Sequence, residues 1–271
     1  MSFRADLHCH TTASDGTLTP EELLHLAVEV GLSGLSITDH DTIEAYEVAT
    51  PLARELGLEL LPGIELSSLH GGASVHILGY GYDLNSPVLR GLCDWHVQRR
   101  QGRNREILAL LAEKGMPVTE EEMEFTKGPG KRIYGRPHIA QAMIGKGYVG
   151  SIKEAFDRWI GEGRPCYAPG LRITAEETIE KIHAAGGKAV IAHPHLIPSA
   201  GLVRELLELP FDGIEGYYAK MGPDQERVWV EIGRKKGWLV TGGSDFHGSS
   251  KPHIPLGCSW VDEETFRRVA Q

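Results

Sequence analysis

Short β-rich runs alternating with helical patterns predict an α/β chain whose seven strands close into a largely parallel barrel. Two further observations shape that expectation. Capping signals fall where barrel helices should begin, and one long central stretch holds helical patterns without a parallel strand. The strands are expected at Phe3–His8, Gly34–Thr38, Glu59–Glu65, Ser74–Tyr80, Lys188–His193, Gly213–Tyr217 and Leu239–Gly243. Thr19-Pro-Glu-Glu22 and Thr174-Ala-Glu-Glu177 are capping boxes, in which a hydroxyl and a carboxylate satisfy each other's orphan backbone donors. Asp41-Thr-Ile-Glu44 carries a weaker form of the same signal. In the central stretch a long helix is expected from Pro87 towards Lys114, then a loop, Thr126-Lys-Gly-Pro-Gly-Lys131. Short helices follow over Pro137–Lys146 and Ile152–Trp159.

The division that results is a barrel built from residues 1–94 and 169–271 around an inserted helical unit, residues 95–168. A chain of 271 residues accommodates this, since α/β barrels run to about 250 residues as single units. Charge separates the two parts. The insertion holds 13 Lys and Arg against 9 Asp and Glu, and the remainder 15 against 28. The whole chain carries −9, which disfavours indiscriminate binding to nucleic acid or anionic membrane and leaves room for a local basic patch. The first thirty residues carry Arg4, Asp6, Asp15, Glu21 and Glu22 without the apolar core of a signal peptide. Nothing approaches the roughly 20 apolar residues of a membrane span. The four cysteines (Cys9, Cys93, Cys166, Cys258) form no CxxC, which argues against a disulfide framework or zinc knuckle and suits a cytoplasmic location.

The 13 histidines carry the functional reading. Asp6-Leu-His8-Cys-His10 closes the first expected strand, where residues two apart share a face and two imidazoles can grip one ion. Thr38-Asp39-His40-Asp41 closes the second, Glu65 ends the third and His76 lies in the fourth. His193-Pro-His195 ends the fifth, and Ser244-Asp245-Phe-His247 follows the seventh. Strand ends converge on one face of a barrel, so these residues should meet around a common centre. Imidazole mixed with carboxylate suits Mn, Zn or Fe better than Ca or Mg alone. Cys9 should point away and pack, and His25, His70, His96, His183 and His253 are expected to be ordinary surface or helix-face residues.

In order, DLHCHTTASDG, ITDHDT, PGIELS, VHILGY, IAHPH and GSDFHG closely resemble the polymerase-and-histidinol-phosphatase (PHP) family of metal-dependent phosphoesterases. The resemblance spans nearly the whole chain and implies a distorted (βα)7 barrel with a trinuclear site. Carried over position by position, His8, His10, Glu65 and Asp245 would hold a first ion. Glu65 would bridge to a second, completed by His76 and His193, and Asp15, His40 and His247 would hold a third. Two or three divalent ions are implied, Mn first, Zn or Fe next and Mg last. A hydroxide bridging the first two would attack phosphorus in line. Asp39 and His195 are expected to orient ligands from behind or to protonate the leaving group.

The insertion, with IYGRPHIA followed by EAFDRWIGEGRPCYAP, resembles the subgroup that hydrolyses nucleoside 3′,5′-bisphosphates and 5′-nucleotides. Some members of that subgroup trim short RNA from its 5′ end. The implied function is hydrolysis of the 5′-phosphate of a small phosphorylated metabolite: a nucleoside bisphosphate, an AMP-like nucleotide or short single-stranded RNA. Lys131, Arg132, Arg136 and His138 are expected to bind it, because arginine grips phosphate through a bidentate fork. Arg99, Arg100, Arg103 and Arg105 form a second basic cluster, and Tyr134 could stack on a base. Three rival readings remain: a histidinol-phosphate phosphatase, a 5′-to-3′ exonuclease, and a metal-stabilised binding module without turnover.

Overall fold

The computed structural model describes residues 2–124, 135–170 and 173–271. They fall into two compact units, Met1–Cys93 with Ile173–Gln271, and Asp94–Arg172.

The first unit carries the strands β1 (Ala5–Cys9), β2 (Gly34–Ile37), β3 (Glu59–Leu60), β4 (Gly63–His70), β5 (Ala73–Tyr80), β6 (Lys188–Ile191), β7 (Gly213–Tyr218) and β8 (Leu239–Gly243). They form two sheets, β1-β2-β3 and β4-β5-β6-β7-β8. Backbone hydrogen bonds join the sheets at both seams. At one, Asp245 N donates to His8 O at 2.7 Å and His10 N to Phe246 O at 2.9 Å, setting β1 beside the end of β8. At the other, Asp41 N donates to Glu65 O at 2.9 Å, setting the end of β2 beside β4. The strands therefore close into a ring.

The helices in chain order are α1 (Pro20–Glu29), α2 (Ala45–Leu56), α3 (Pro87–Glu113), α4 (Glu120–Glu124) and α5 (Arg136–Gly145), then α6 (Ile152–Ala155), α7 (Ala175–Ala184), α8 (Ala200–Leu206), α9 (Pro223–Lys236) and α10 (Glu263–Ala270). Both capping boxes form, Thr19 with Glu22 and Thr174 with Glu177. Leu23, Leu24 and Ala27 of α1 and Ala49 and Ala53 of α2 bury against Leu35 and Ile37 of β2. Leu7, Leu78, Tyr80 and Val190 make a second cluster with Phe266 and Val269 of α10. Each fully buried Leu or Phe there stabilises the fold by about 1.5–3 kcal/mol.

Three expectations need correction. The strand expected over Glu59–Glu65 breaks at Leu61-Pro62 into β3 and β4, because Pro62 has no N–H to donate to a ladder. The sheet is less parallel than the sequence reading has it: β5 runs antiparallel to both β4 and β6. The β4–β5 hairpin turns on Gly71 and Gly72, at φ 54 and 83, the two consecutive positive values of a tight type I′ turn. Asp41 does not cap α2, whose N-cap Glu44 makes no side-chain cap bond. Its carboxylate accepts instead from the backbone N and Oγ of Ser67, at 2.7 and 3.0 Å.

In the second unit the later turns of α3, with α4, α5 and α6, enclose Ile107, Leu111, Ile139, Met143, Ile160 and Cys166. A π-helical turn, Phe156–Ile160, continues α6, and the described residues of this unit contain no strand. The expected loop Thr126–Lys131 lies outside the described residues. No described helix is long and apolar enough to cross a membrane.

Candidate metal centre

The first unit brings together all nine residues expected as metal ligands. Three groups of ligand atoms, each within 4.8 Å of one another, are His8, His10, Glu65 and Asp245; His10, Asp15, His40 and His247; and His40, Glu65 and His76. His193 joins them through Nε2, 2.8 Å from Glu65 Oε1. The backbone is strained to deliver these groups. Asp41, His193 and Asp245 hold φ of 58, 25 and 55, which for residues other than glycine costs about 1–3 kcal/mol each. Each is pinned by its own N–H, to Glu65 O, Glu215 Oε2 and His8 O respectively. Gly243 lets β8 approach β1 closely: a Cβ there would lie 2.3 Å from His8 N.

Glu65 organises the cluster. Its Oε1 faces His76 Nδ1 at 2.7 Å and His193 Nε2 at 2.8 Å. Its Oε2 faces His8 Nε2 at 3.3 Å, His10 Nε2 at 3.2 Å and His40 Nδ1 at 3.2 Å. One carboxylate thus presents each oxygen to a different set of imidazoles, the arrangement of a ligand shared between two ions. His10 reaches two groups at once, since Nε2 lies 3.2 Å from Asp245 Oδ1 and Nδ1 lies 3.8 Å from Asp15 Oδ1. His40 does the same, with Nε2 3.7 Å from Asp15 Oδ2.

A set of groups behind the cluster fixes which nitrogen each ring presents. His8 Nδ1 is 2.8 Å from Glu215 Oε1, so a neutral ring keeps its proton there and turns the Nε2 lone pair inward. His247 Nδ1 donates to the backbone O of Asp245 at 2.8 Å, with the same result. Tyr218 OH and Lys251 Nζ both donate to Asp245 Oδ2, at 2.7 and 2.6 Å, which leaves Oδ1 for the cluster. Asp6 accepts from Ser244 N and Oγ and Gly257 N, bracing the segment that carries Asp245. The sequence reading missed Glu215, Tyr218 and Lys251. Glu215 left a signal, a carboxylate inside the otherwise uncharged strand Gly213-Ile-Glu-Gly-Tyr-Tyr218.

Burial works against the Glu65 carboxylate, but His40, His76 and His8 outweigh it and hold its pKa well below the usual range. His8 and His10 do the same for Asp245, and His40 and His247 for Asp15. Burial pulls His10 down, yet Asp245 and Glu65 raise it to about 9. His40, equally buried and beside two other imidazoles, falls to about 3 despite Glu65 and Asp15. Among the described residues His10 Nδ1 and Nε2 and His40 Nδ1 are buried without a hydrogen-bond partner. Unpartnered imidazole nitrogens converging on shared carboxylates fit divalent transition ions.

The remaining expected site residues divide. Asp39 is buried and accepts from Thr11 N at 2.7 Å, Thr11 Oγ1 at 2.6 Å and Ser14 Oγ at 2.6 Å. It braces the loop leading to Asp15, and with its oxygens so engaged the leaving-group acid role finds no support. His195 packs 4.6 Å from the Tyr218 ring, and burial, then His193, lowers its pKa. In the second unit the Arg136 guanidinium carbon lies 5.4 Å from the Phe156 ring centre and 5.6 Å from that of Tyr167. His138 Nδ1 accepts from Gly135 N at 3.0 Å at the start of α5. Lys131, Arg132 and Tyr134 lie outside the described residues. Cys9 packs among Leu23, Leu24 and Ala27, and burial pushes its thiol well up, away from any nucleophilic role.

Known proteins resemble this chain in sequence and fold. The PHP domain profile matches residues 6–190. The 5′-3′ exoribonuclease Rnm of Salmonella typhimurium is 34% identical over 264 residues, 93% of this chain and 87% of the relative. The 3′,5′-nucleoside bisphosphate phosphatase of Chromobacterium violaceum is 30% identical over 258 residues, 93% and 90% of the two chains. A crystal structure assigned as a metal-dependent phosphoesterase of Bifidobacterium adolescentis aligns with a TM-score of 0.87 at 32% identity, over 98% of this chain and 94% of that one. Matched by the domain profile over most of its length and by relatives over nearly all of it, the chain belongs to the PHP family of metal-dependent phosphoesterases.

Proposed function

We propose that this enzyme hydrolyses the 3′-phosphoester of a nucleotide that carries a 5′-phosphate. Its substrates are then nucleoside 3′,5′-bisphosphates and the first nucleotide of a short 5′-phosphorylated RNA. This moves the cleaved bond from the 5′ side, expected from the sequence, to the 3′ side. One bond accounts for the names of both relatives. Removing a nucleotide from the 5′ end of RNA severs the diester on its 3′ side, and a bisphosphate carries a monoester at that position. Cleavage of the 3′-O–P bond in RNA leaves a new 5′-phosphate on the remaining chain, so each product is again a substrate.

The observation that carries the phosphoesterase centre is Glu65, with its two oxygens facing separate imidazole sets. His8, His10, Glu65 and Asp245 would hold one ion, Glu65, His76 and His193 a second, and Asp15, His40 and His247 a third. Mn is our first choice, with Zn or Fe next. Bound ions would lower the pKa of a water towards neutrality and offset the charge of the phosphoryl oxygens. Glu215, Tyr218, Lys251 and Asp39 keep the ligands aimed. His195, held neutral, offers a ring N–H to a phosphoryl or leaving oxygen. Arg136, steadied between two rings, is proposed to grip the non-reacting 5′-phosphate together with His138, Lys131 and Arg132.

Incubation of adenosine 3′,5′-bisphosphate with the Mn-supplied enzyme should give 5′-AMP and orthophosphate, resolved from 3′-AMP by chromatography. Accumulation of 3′-AMP would place cleavage on the 5′ side and sink this reading. Faster turnover of histidinol phosphate than of either nucleotide substrate would overturn the substrate class.

A further inference from the structure

Within the second unit a groove of about 330 Å³ runs along one face of α3. Its lining includes Trp95, Gln98, Arg99, Gly102, Arg103 and Glu106, whose spacing of three and four residues stacks them on a single helix face. Gly170 completes the wall, where its missing side chain leaves room for the stem of Arg103, 3.2 Å from a Cβ built there. The volume lies at the small end of the roughly 300–1,000 Å³ typical of ligand sites. Arg99 places its guanidinium carbon 5.6 Å from the Trp95 ring centre, so a π-face and a cation adjoin. Gly102 keeps the middle of the groove open: a Cβ there meets nothing within 4 Å. Glycine in a helix interior costs about 1 kcal/mol against alanine, so the gap is kept at the helix's expense.

We infer that this groove holds one base and its phosphate from single-stranded RNA, the base stacked on Trp95 and the phosphate on Arg99 and Arg103. The ligand class rests on the nucleotide reading above, and the groove deepens it, because a mononucleotide enzyme has no need of a second base platform. Stacking on an indole accepts any base, and guanidinium groups track a backbone whatever its sequence. Gln98 adds amide donors and an acceptor for a base edge. Glu106, the acid among the lining residues, opposes a second phosphate and accepts from a ribose hydroxyl.

The test is binding by the full chain in chelator, which stops turnover, to a 5′-phosphorylated hexaadenylate dye-labelled at its 3′ end, followed by fluorescence anisotropy. Trp95→Ala should weaken binding about tenfold, the usual scale for one stacked base. Gly102→Leu, which fills the groove while favouring the helix, should do the same with a circular-dichroism melting temperature no lower than the parent's. Arg99→Ala should reduce the slope of log affinity against log salt by roughly 0.7, the contribution of one single-strand phosphate, and Trp95→Ala should leave that slope alone. Binding of the Trp95 and Gly102 variants within twofold of the parent overturns the groove, even where the arginine variant weakens. If 5′-AMP is still released from the bisphosphate in that case, the proposed function stands without the groove. Loss of binding in these variants of a chain that hydrolyses no nucleotide would leave the groove standing without the function.

Discussion

Glu65 meets five imidazoles with two oxygens, and that distribution sets what its replacement should do. Glu65→Gln keeps the shape and removes the charge, so the second oxygen becomes an amide that cannot ligate. At least one ion per chain should be lost by elemental analysis, and turnover of the bisphosphate should fall a hundredfold or more. Full metal content with undiminished turnover would remove Glu65 from the centre. Glu215 acts at one remove, orienting His8 through Nδ1 and fixing the strained backbone of His193. Glu215→Gln should weaken metal affinity by roughly 10–100-fold while leaving every ligand in place. Titration with Mn measures it, and an unchanged affinity would make Glu215 a bystander. The two residues also show what a sequence discloses. Most of the candidate ligands were legible because imidazoles and carboxylates fall at the ends of expected strands, whereas His76 lies inside its strand and Asp15 was reached only through the family resemblance. The groups that orient them come from β7 and the loop after β8, and only folding reveals which ligand each one meets.

Elements whose signals are local were read well, and those settled by distant pairing were not. A capping box is complete within four residues, so the starts of α1 and α7 were visible as text. The antiparallel pairing of β5 with β6 joins segments more than a hundred residues apart, whereas its pairing with β4 was local, signalled by Gly71-Gly72 between two β-rich runs, and was overlooked. The positive φ of His193 and Asp245 left no mark at all, since neither residue type demands it. Close approach of elements yields its own test. Gly243→Ala would drive a methyl into the backbone of His8 and shift the β1–β8 seam. Metal content should fall along with the melting temperature, whereas Gly102→Ala in open space should stabilise α3. An unaltered metal site in the Gly243 variant would show that the seam yields more easily than its contacts imply. At the start of α5, Arg136→Ala removes a charge-assisted contact worth about 1.5–3 kcal/mol. It should raise KM for the bisphosphate ten- to a hundredfold with kcat nearly kept. Unchanged kinetics would leave Arg136 as a packing residue between Phe156 and Tyr167.

For the molecule as a whole, metal and pH should act on stability through the same groups. In the metal-free chain His10 is raised from its ordinary 6.5 to about 9 by Asp245 and Glu65. Its imidazolium therefore contributes stability that is complete below pH 6.5 and lost as pH rises through about 9. His8 and His76 shift in the same direction. The carboxylates of Asp15, Glu65 and Asp245 are depressed, so their contribution is present above their ordinary range and disappears as pH falls below it. Binding of an ion requires neutral imidazole and ionised carboxylate, and so displaces the His10 proton. His40, near 3, is already neutral and adds nothing to this balance. The metal-free chain should thus lose stability from pH 6.5 to 9, while metal affinity climbs over the same interval. Scanning calorimetry at fixed free Mn and in chelator should show the gap between the two melting temperatures widening steadily from pH 6.5 to 9. Titration calorimetry in buffers of different ionisation enthalpy should show protons released on binding at pH 7, and fewer as pH approaches 9. A gap that stays constant or narrows with rising pH would mean that the imidazoles do not exchange protons for metal, and the assignment of His10 as a ligand would fail with it.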